Sequence, residues 1–154
     1  MADYSYIISA IRELTEGVEY AVTDLAQASA LLYCSMEQIN WAGFYLQRDG
    51  MLILGPFQGK PACTVIGAGK GVCGTAATQD RTVVVEDVHL FPGHIACDSA
   101  SESEIVIPVH TRGKLYGVLD IDSPVKNRFS EEDRAGLEEF VRILEARLEN
   151  IADK

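Results

Sequence analysis

The sequence predicts an α+β domain, a largely antiparallel central sheet with helices packed on one face. Three observations point there. The turn signals "RDG" (48–50) and "TRGK" (111–114) each separate two apolar, β-branched or aromatic runs, the pattern of a hairpin. Stretches with helical spacing of apolar residues occupy both ends of the chain. No linker, repeat or low-complexity tract interrupts the 154 residues, which therefore read as one domain, 1–154.

Residues 3–16 carry Ile7, Ile11 and Leu14 at helical spacing, and a second helix is expected from Val18 to Met36 with Leu25, Ala28 and Leu32 on one face. "INWAGFYLQ" (39–47) and "MLILGPF" read as strands paired across "RDG". "CTVI", beginning at Cys63, is a short strand candidate. "GAGKGVCGTAATQD" (67–80) is a glycine-rich loop entering a short helix of small residues, and "TVVVED" is another strand. Residues 88–103 form a long irregular segment, of a length that in compact domains usually serves function. "EIVIPVH" and "KLYGVLDID" make the second hairpin. The last helix opens with a capping box, Ser130 and Asp133, and carries an apolar stripe of Leu137, Phe140, Val141, Leu144 and Leu148.

The formal charge of −10 argues against nucleic acid and anionic membranes as partners. The N-terminus lacks the basic-then-apolar order of a signal peptide, and no apolar run approaches a membrane span. A cytoplasmic protein is expected. In that compartment structural disulfides rarely persist, so the four cysteines (Cys34, Cys63, Cys73 and Cys97) raise the question of buried, metal-bound or redox-active thiols.

Structural zinc calls for closely spaced Cys or His pairs, and no CxxC occurs, so no metal is expected. "GAGKG" lacks the Gly-Lys-Ser/Thr ending of a phosphate-binding loop, although the helix it enters offers backbone N–H groups to a carboxylate. Alternation in "LYGVLDID" sets Leu119 and Ile121 on one face of a strand and Asp120 and Asp122 on the other. Glu104, at the start of the neighbouring strand, is placed to join them. Either this is a solvated face, or the carboxylates meet a cation or hold a proton. Trp41 and Tyr45 share one face of their strand, as core packing or as the wall of a site.

Taken together, "NWAGFYL", "GPFQGKPACTVIGAGKGVCGTA", "VEDVHLFPGHIACDSASESEIVIPV" and "GVLDIDSP…RFSEED" resemble the free methionine-(R)-sulfoxide reductases, enzymes built on a GAF domain. The resemblance runs from about residue 39 to 140 and leaves Cys34 outside it. It implies a single GAF domain that reduces free methionine-(R)-sulfoxide without a bound cofactor. A cysteine attacks the sulfoxide sulfur and becomes a sulfenic acid, a second cysteine condenses with it, and thioredoxin reduces the disulfide. By resemblance Cys97 attacks, Cys63 is the main resolver and Cys73 a second redox cysteine, in a homodimer.

In that frame Asp122 or Glu104 protonates the sulfoxide oxygen, and Glu104, Asp120 and Asp122 face the substrate ammonium, Asp120 foremost. Trp41 and Tyr45 wall the S-methyl group. Backbone N–H groups near Cys73 hold the carboxylate. An ordinary thiol, with a pKa of about 8.5, needs help to ionise, and His94 is one candidate. The competing readings are a non-catalytic GAF sensor, expected beside an output domain, and a zinc module, expected to bind metal stoichiometrically.

Overall fold

The computed structural model describes residues 2–94 and 100–154. Helices α1 (Tyr4–Leu14) and α2 (Ala21–Ser35) precede strands β1 (Trp41–Arg48), β2 (Met51–Gly59) and β3 (Val65–Ile66). Helix α3 (Gly71–Gln79), strand β4 (Val83–Val85) and a 3₁₀ turn (Val88–Leu90) follow. Strands β5 (Ser103–Thr111) and β6 (Lys114–Ser123) and helix α4 (Glu131–Leu148) close the chain.

The six strands form one sheet in the order β3-β2-β1-β6-β5-β4, and every pairing is antiparallel. Both tight hairpins use the turn chemistry legible in the sequence. Asp49 and Gly50 (φ 51° and 77°) join β1 to β2, and Arg112 and Gly113 (φ 52° and 74°) join β5 to β6. Two successive positive φ values match the twist of the flanking strands, and glycine takes the second without strain.

The sheet buries both faces. Ala42 and Phe44 of β1, Ile105 and Ile107 of β5, and Leu119 and Ile121 of β6 pack with α1, α2 and α4. On the opposite face Trp41, Tyr45, Val106 and Val118 meet Val72, Cys73 and Ala76 of α3. The three long helices thus share one face as the sequence predicts, and α3 covers part of the other. Its buried residues are Gly71, Val72, Cys73, Gly74 and Ala76, a set too small to give a pronounced apolar stripe but able to approach the sheet closely.

Helix α4 has the predicted capping box: Ser130 Oγ accepts from the Asp133 N–H, and the Asp133 carboxylate accepts from the Ser130 N–H. The same carboxylate accepts from the Tyr4 hydroxyl at 2.7 Å and pairs with Arg128 at 3.0 Å, tying α1 to the start of α4. Strand β3 is shorter than "CTVI" suggests, and Cys63 lies two residues before it. No helix among the described residues is long and apolar enough to cross a membrane.

Asp24, in the first turn of α2, is wholly buried, and among the described residues neither carboxylate oxygen has a hydrogen-bond partner. Arg147 helps from a distance, but its guanidinium is engaged by Thr15 Oγ1 and the Arg12 carbonyl. Burial pushes the Asp24 carboxyl up to about 6. A carboxyl raised on folding destabilises the fold above that value, and the penalty fades as pH falls toward the ordinary carboxylate range. Asp24→Asn is therefore expected to raise the melting temperature at pH 7.5, by about 2 kcal/mol or roughly 4–8 °C for a domain of this size. The advantage over wild type should shrink on going to pH 4.5. Parallel melting curves from pH 4.5 to 8 check this, and a constant difference would remove Asp24 as its source.

Candidate active site

The register of the three central strands builds the site. Trp41 on β1 lies opposite Asp122 on β6, and Asp122 lies opposite Glu104 on β5. One row therefore crosses the sheet as Trp41–Asp122–Glu104. Two residues along each strand, the next row on this face is Gly43–Asp120–Val106. Gly43 is required there, because a Cβ would fall 2.3 Å from Cβ of Phe57 on β2. The ring of Phe57 stacks on Trp41 at 5.2 Å, and Trp41 stacks on Tyr45 at 5.9 Å, making an aromatic wall beside the carboxylates.

Helix α3 lies across this face with Cys73 in its first turn. Its N-terminus and Lys70 line a small cavity together with Trp41, Tyr45, Glu104, Asp120 and Asp122. His94 and Ser101 also line it.

Glu104 and Asp120 are buried, and Cys73 Sγ lies within 4.8 Å of a carboxylate oxygen of each. Burial pushes the Glu104 carboxyl well up, and the charges of Asp120 and Asp122 push it further. Burial also raises Asp120, but hydrogen bonds from Glu104 and Cys73 favour its ionised form. The Cys73 thiol is driven well up by burial and then by the three carboxylates. The arrangement that satisfies all three keeps protons on Glu104 and Cys73, with Asp120 as the carboxylate accepting from both. Burial and the same acids also raise the Tyr45 hydroxyl, which stays a donor. His94 is lowered by burial and by His89, with Asp120 opposing, so its imidazole is held toward the neutral form.

Two aromatic side chains reach from β1 to the segment between β2 and β3. Trp41 Nε1 donates to the Lys60 carbonyl at 3.1 Å, and the Tyr45 hydroxyl donates to the Cys63 carbonyl at 2.9 Å. Cys63 is disulfide-bonded, whereas Cys34 and Cys73 carry free thiols, exposed and buried respectively. Cys97 lies outside the described residues.

Among the described residues, two groups of side chains have metal-like spacing. Cys73, Glu104 and Asp120 form one, but its acids already share protons and hydrogen bonds among themselves. Asp87, His89 and Glu102 form the other, where Lys126 pairs with Asp87 at 3.2 Å and His89 with Glu102 at 2.7 Å. The second set is thus paired within itself, whereas in the first Asp120 lines the cavity and its Oδ1 has no hydrogen-bond partner among the described residues.

The structure thus brings together Trp41, Tyr45, Cys73, Glu104, Asp120 and Asp122 from the sequence-predicted site residues, with Cys63 held at the wall. Lys70 and Ser101 also line the cavity and were not singled out as site residues. Lys70 carried a signal, the "GAGKG" run, but the phosphate-loop reading of that run fails and left it without a role.

The GAF domain model matches residues 10–148. The free methionine-R-sulfoxide reductase of Escherichia coli is 54% identical over 132 residues, 86% of this chain and 80% of that protein. The chain belongs to the GAF-domain free methionine-(R)-sulfoxide reductase family. The corresponding reductase of Saccharomyces cerevisiae is 45% identical over 139 residues, 85% of this chain and 77% of that protein. The Staphylococcus aureus reductase, solved in complex with its substrate, superposes with a TM-score of 0.92 at 49% identity, covering 96% of this chain and 97% of that one.

Among the described residues, the two free thiols differ in reach. With the disulfide intact, iodoacetamide at pH 8 is expected to modify exposed Cys34 and to leave Cys73 unmodified until denaturant is added. Peptide mass mapping before and after denaturation reads this. Equal native labelling of both would show the Cys73 thiol open and ionisable.

Proposed function

We propose that the protein reduces free methionine-(R)-sulfoxide to methionine, with Cys97 as the attacking thiolate, Cys63 as the resolving cysteine and thioredoxin as the reductant. The observation that carries the reading is the Trp41–Asp122–Glu104 row, an aromatic wall and a proton-holding acid on one sheet face, with a redox-engaged cysteine tied to that wall. The named relatives support the same activity.

The substrate fits by charge. Its ammonium goes to Asp120, which retains the negative charge, with Asp122 beside it. Its carboxylate goes to the N-terminal N–H groups of α3 and to Lys70. Its methyl group lies against the rings of Trp41 and Tyr45. A methionine sulfoxide within a peptide has neither terminal charge and is rejected, because it would leave buried acids without their cation.

Cys97 sulfur attacks the sulfoxide sulfur while the oxygen takes the proton held by Glu104. In the resulting adduct the S–S bond breaks as the hydroxyl oxygen passes from the substrate sulfur to the cysteine sulfur, so that methionine departs as the thioether, reduced by two electrons, and Cys97 is left oxidised as a sulfenic acid. The Cys63 thiol then displaces that oxygen as water and forms the disulfide. A dithiol reductant of the thioredoxin class restores both thiols. Cys63 suits the resolving role because it is disulfide-bonded, whereas the protonated, acid-ringed Cys73 is a poor nucleophile and a good hydrogen-bond donor to Asp120. A homodimer in the cytoplasm belongs to the same reading.

A single turnover on reduced protein without recycling reductant tests this. The free R epimer should yield one methionine with two thiols lost, and the S epimer and the N-acetylated R sulfoxide should yield almost none. Cys97→Ser should abolish the burst, and Cys63→Ser should keep it but stall with thioredoxin. No methionine from wild type would overturn the reading.

Glu104 supplies a second test. Because its folded pKa is raised, the proton it donates is present at low and neutral pH and is lost as pH rises through that value. The rate should fall on the alkaline side, and Glu104→Gln should lower it by roughly 10²–10⁴-fold. A variant with the full rate would move the acid role to Asp122.

A further inference from the structure

We propose that Tyr45 is a positioning residue for the resolving cysteine, its hydroxyl holding the Cys63 backbone in place for disulfide formation. The inference rests on the functional reading above, since it concerns the second chemical step of that reaction.

Residues 60–64 connect β2 to β3 without regular structure of their own, and Pro61 and Thr64 are exposed. Among the described residues, three hydrogen bonds hold the carbonyls of this segment. The Leu54 N–H reaches the Thr64 carbonyl at 3.0 Å, Trp41 Nε1 reaches Lys60, and the Tyr45 hydroxyl reaches Cys63 itself. The two side-chain donors stand four residues apart on the same face of β1, each 2% exposed. Their rings are locked by stacking on one another, and that of Trp41 also by Phe57. The segment carrying Cys63 therefore hangs from the rigid centre of the sheet.

An aromatic wall for a methyl group needs only a ring, and phenylalanine would provide it. A buried hydroxyl needs a partner, and this one is used on the Cys63 carbonyl. It stays a donor across the working pH range, because burial and the nearby acids raise it. The chemistry it serves is stringent. Disulfide formation requires the two Cα atoms within roughly 7 Å and a narrow dihedral, and small misplacements of reacting groups are costly in rate. One side chain thus meets the substrate with its ring and sets the resolving thiol with its hydroxyl.

Tyr45→Phe removes the hydroxyl and keeps the ring. Reduced enzyme is mixed with one equivalent of free methionine-(R)-sulfoxide and quenched over time, counting methionine, remaining thiols and dimedone-trapped sulfenic acid. The expected result is a selective defect. Loss of the second thiol should slow roughly tenfold more than methionine release, the magnitude of one neutral hydrogen bond, and the dimedone adduct should accumulate. Equal slowing of both steps, or a second step that keeps pace, would overturn the proposal. A substrate-free arm separates this from the functional reading: diamide should close the Cys63 disulfide more slowly in Tyr45→Phe than in wild type. If wild type forms no methionine but the diamide difference holds, the reductase reading fails and the tether stands. If diamide closes both at one rate, the tether fails.

Discussion

The rest of the molecule is organised around a cluster of acids that is too crowded to be fully ionised. Glu104, Asp120 and Asp122 occupy adjacent strand positions on one sheet face, and the only fixed cation among the described residues lining the cavity is Lys70, at the far side near α3. Three carboxylates in that volume would repel one another strongly if all were charged. The protein resolves the conflict with protons, keeping one on Glu104 and one on the Cys73 thiol and leaving Asp120 to accept from both. A cationic group entering the pocket would replace part of that arrangement and make one of those protons redundant. On the function proposed above, binding a zwitterion and supplying an acid are two uses of the same electrostatic strain.

That cluster depends on strand register. A slip of one residue between β6 and β5 would turn Asp120 and Asp122 toward Ile105 and Phe44, and would send Leu119 and Ile121 into the polar cavity. Leu119 and Ile121 are fully buried in the core under α1, α2 and α4, so the slip is prevented by burial on the face opposite the site. The hairpin turn at Arg112–Gly113 and the fully antiparallel pairing set the same alignment. The acid cluster on one side of β6 is thus held in register by apolar packing on the other.

Which parts were legible in the sequence follows from how local each signal is. The α4 capping box and stripe, the two X-Gly hairpin turns and the alternation of Asp120 and Asp122 with Leu119 and Ile121 are patterns within a few residues, and the structure has all of them. The position of α3 on the second face was not legible, because its small residues carry little periodicity and its place depends on how Val106, Val118 and Tyr45 present themselves across three strands. The Trp41–Asp122–Glu104 row was half legible. Each residue could be assigned a face from its own strand, but the register that aligns them is a property of the pairings. Buried Asp24 gave no warning, since an acid in the first turn of a helix reads as a favourable dipole contact.

The start of β3 shows the same limit and what lies behind it. "CTVI" is a sound strand signal by composition, yet pairing begins only at Val65. The Cys63 carbonyl is taken instead by a side chain rooted on β1. A residue in a continuous ladder is held by the strands beside it and moves only with them. On the resolving role proposed above, Cys63, its carbonyl taken by the Tyr45 hydroxyl just outside the ladder, is fixed enough to be aimed and free enough to alternate between thiol and disulfide. A resolving cysteine needs both properties, and a strand extended through Cys63 would provide only the first.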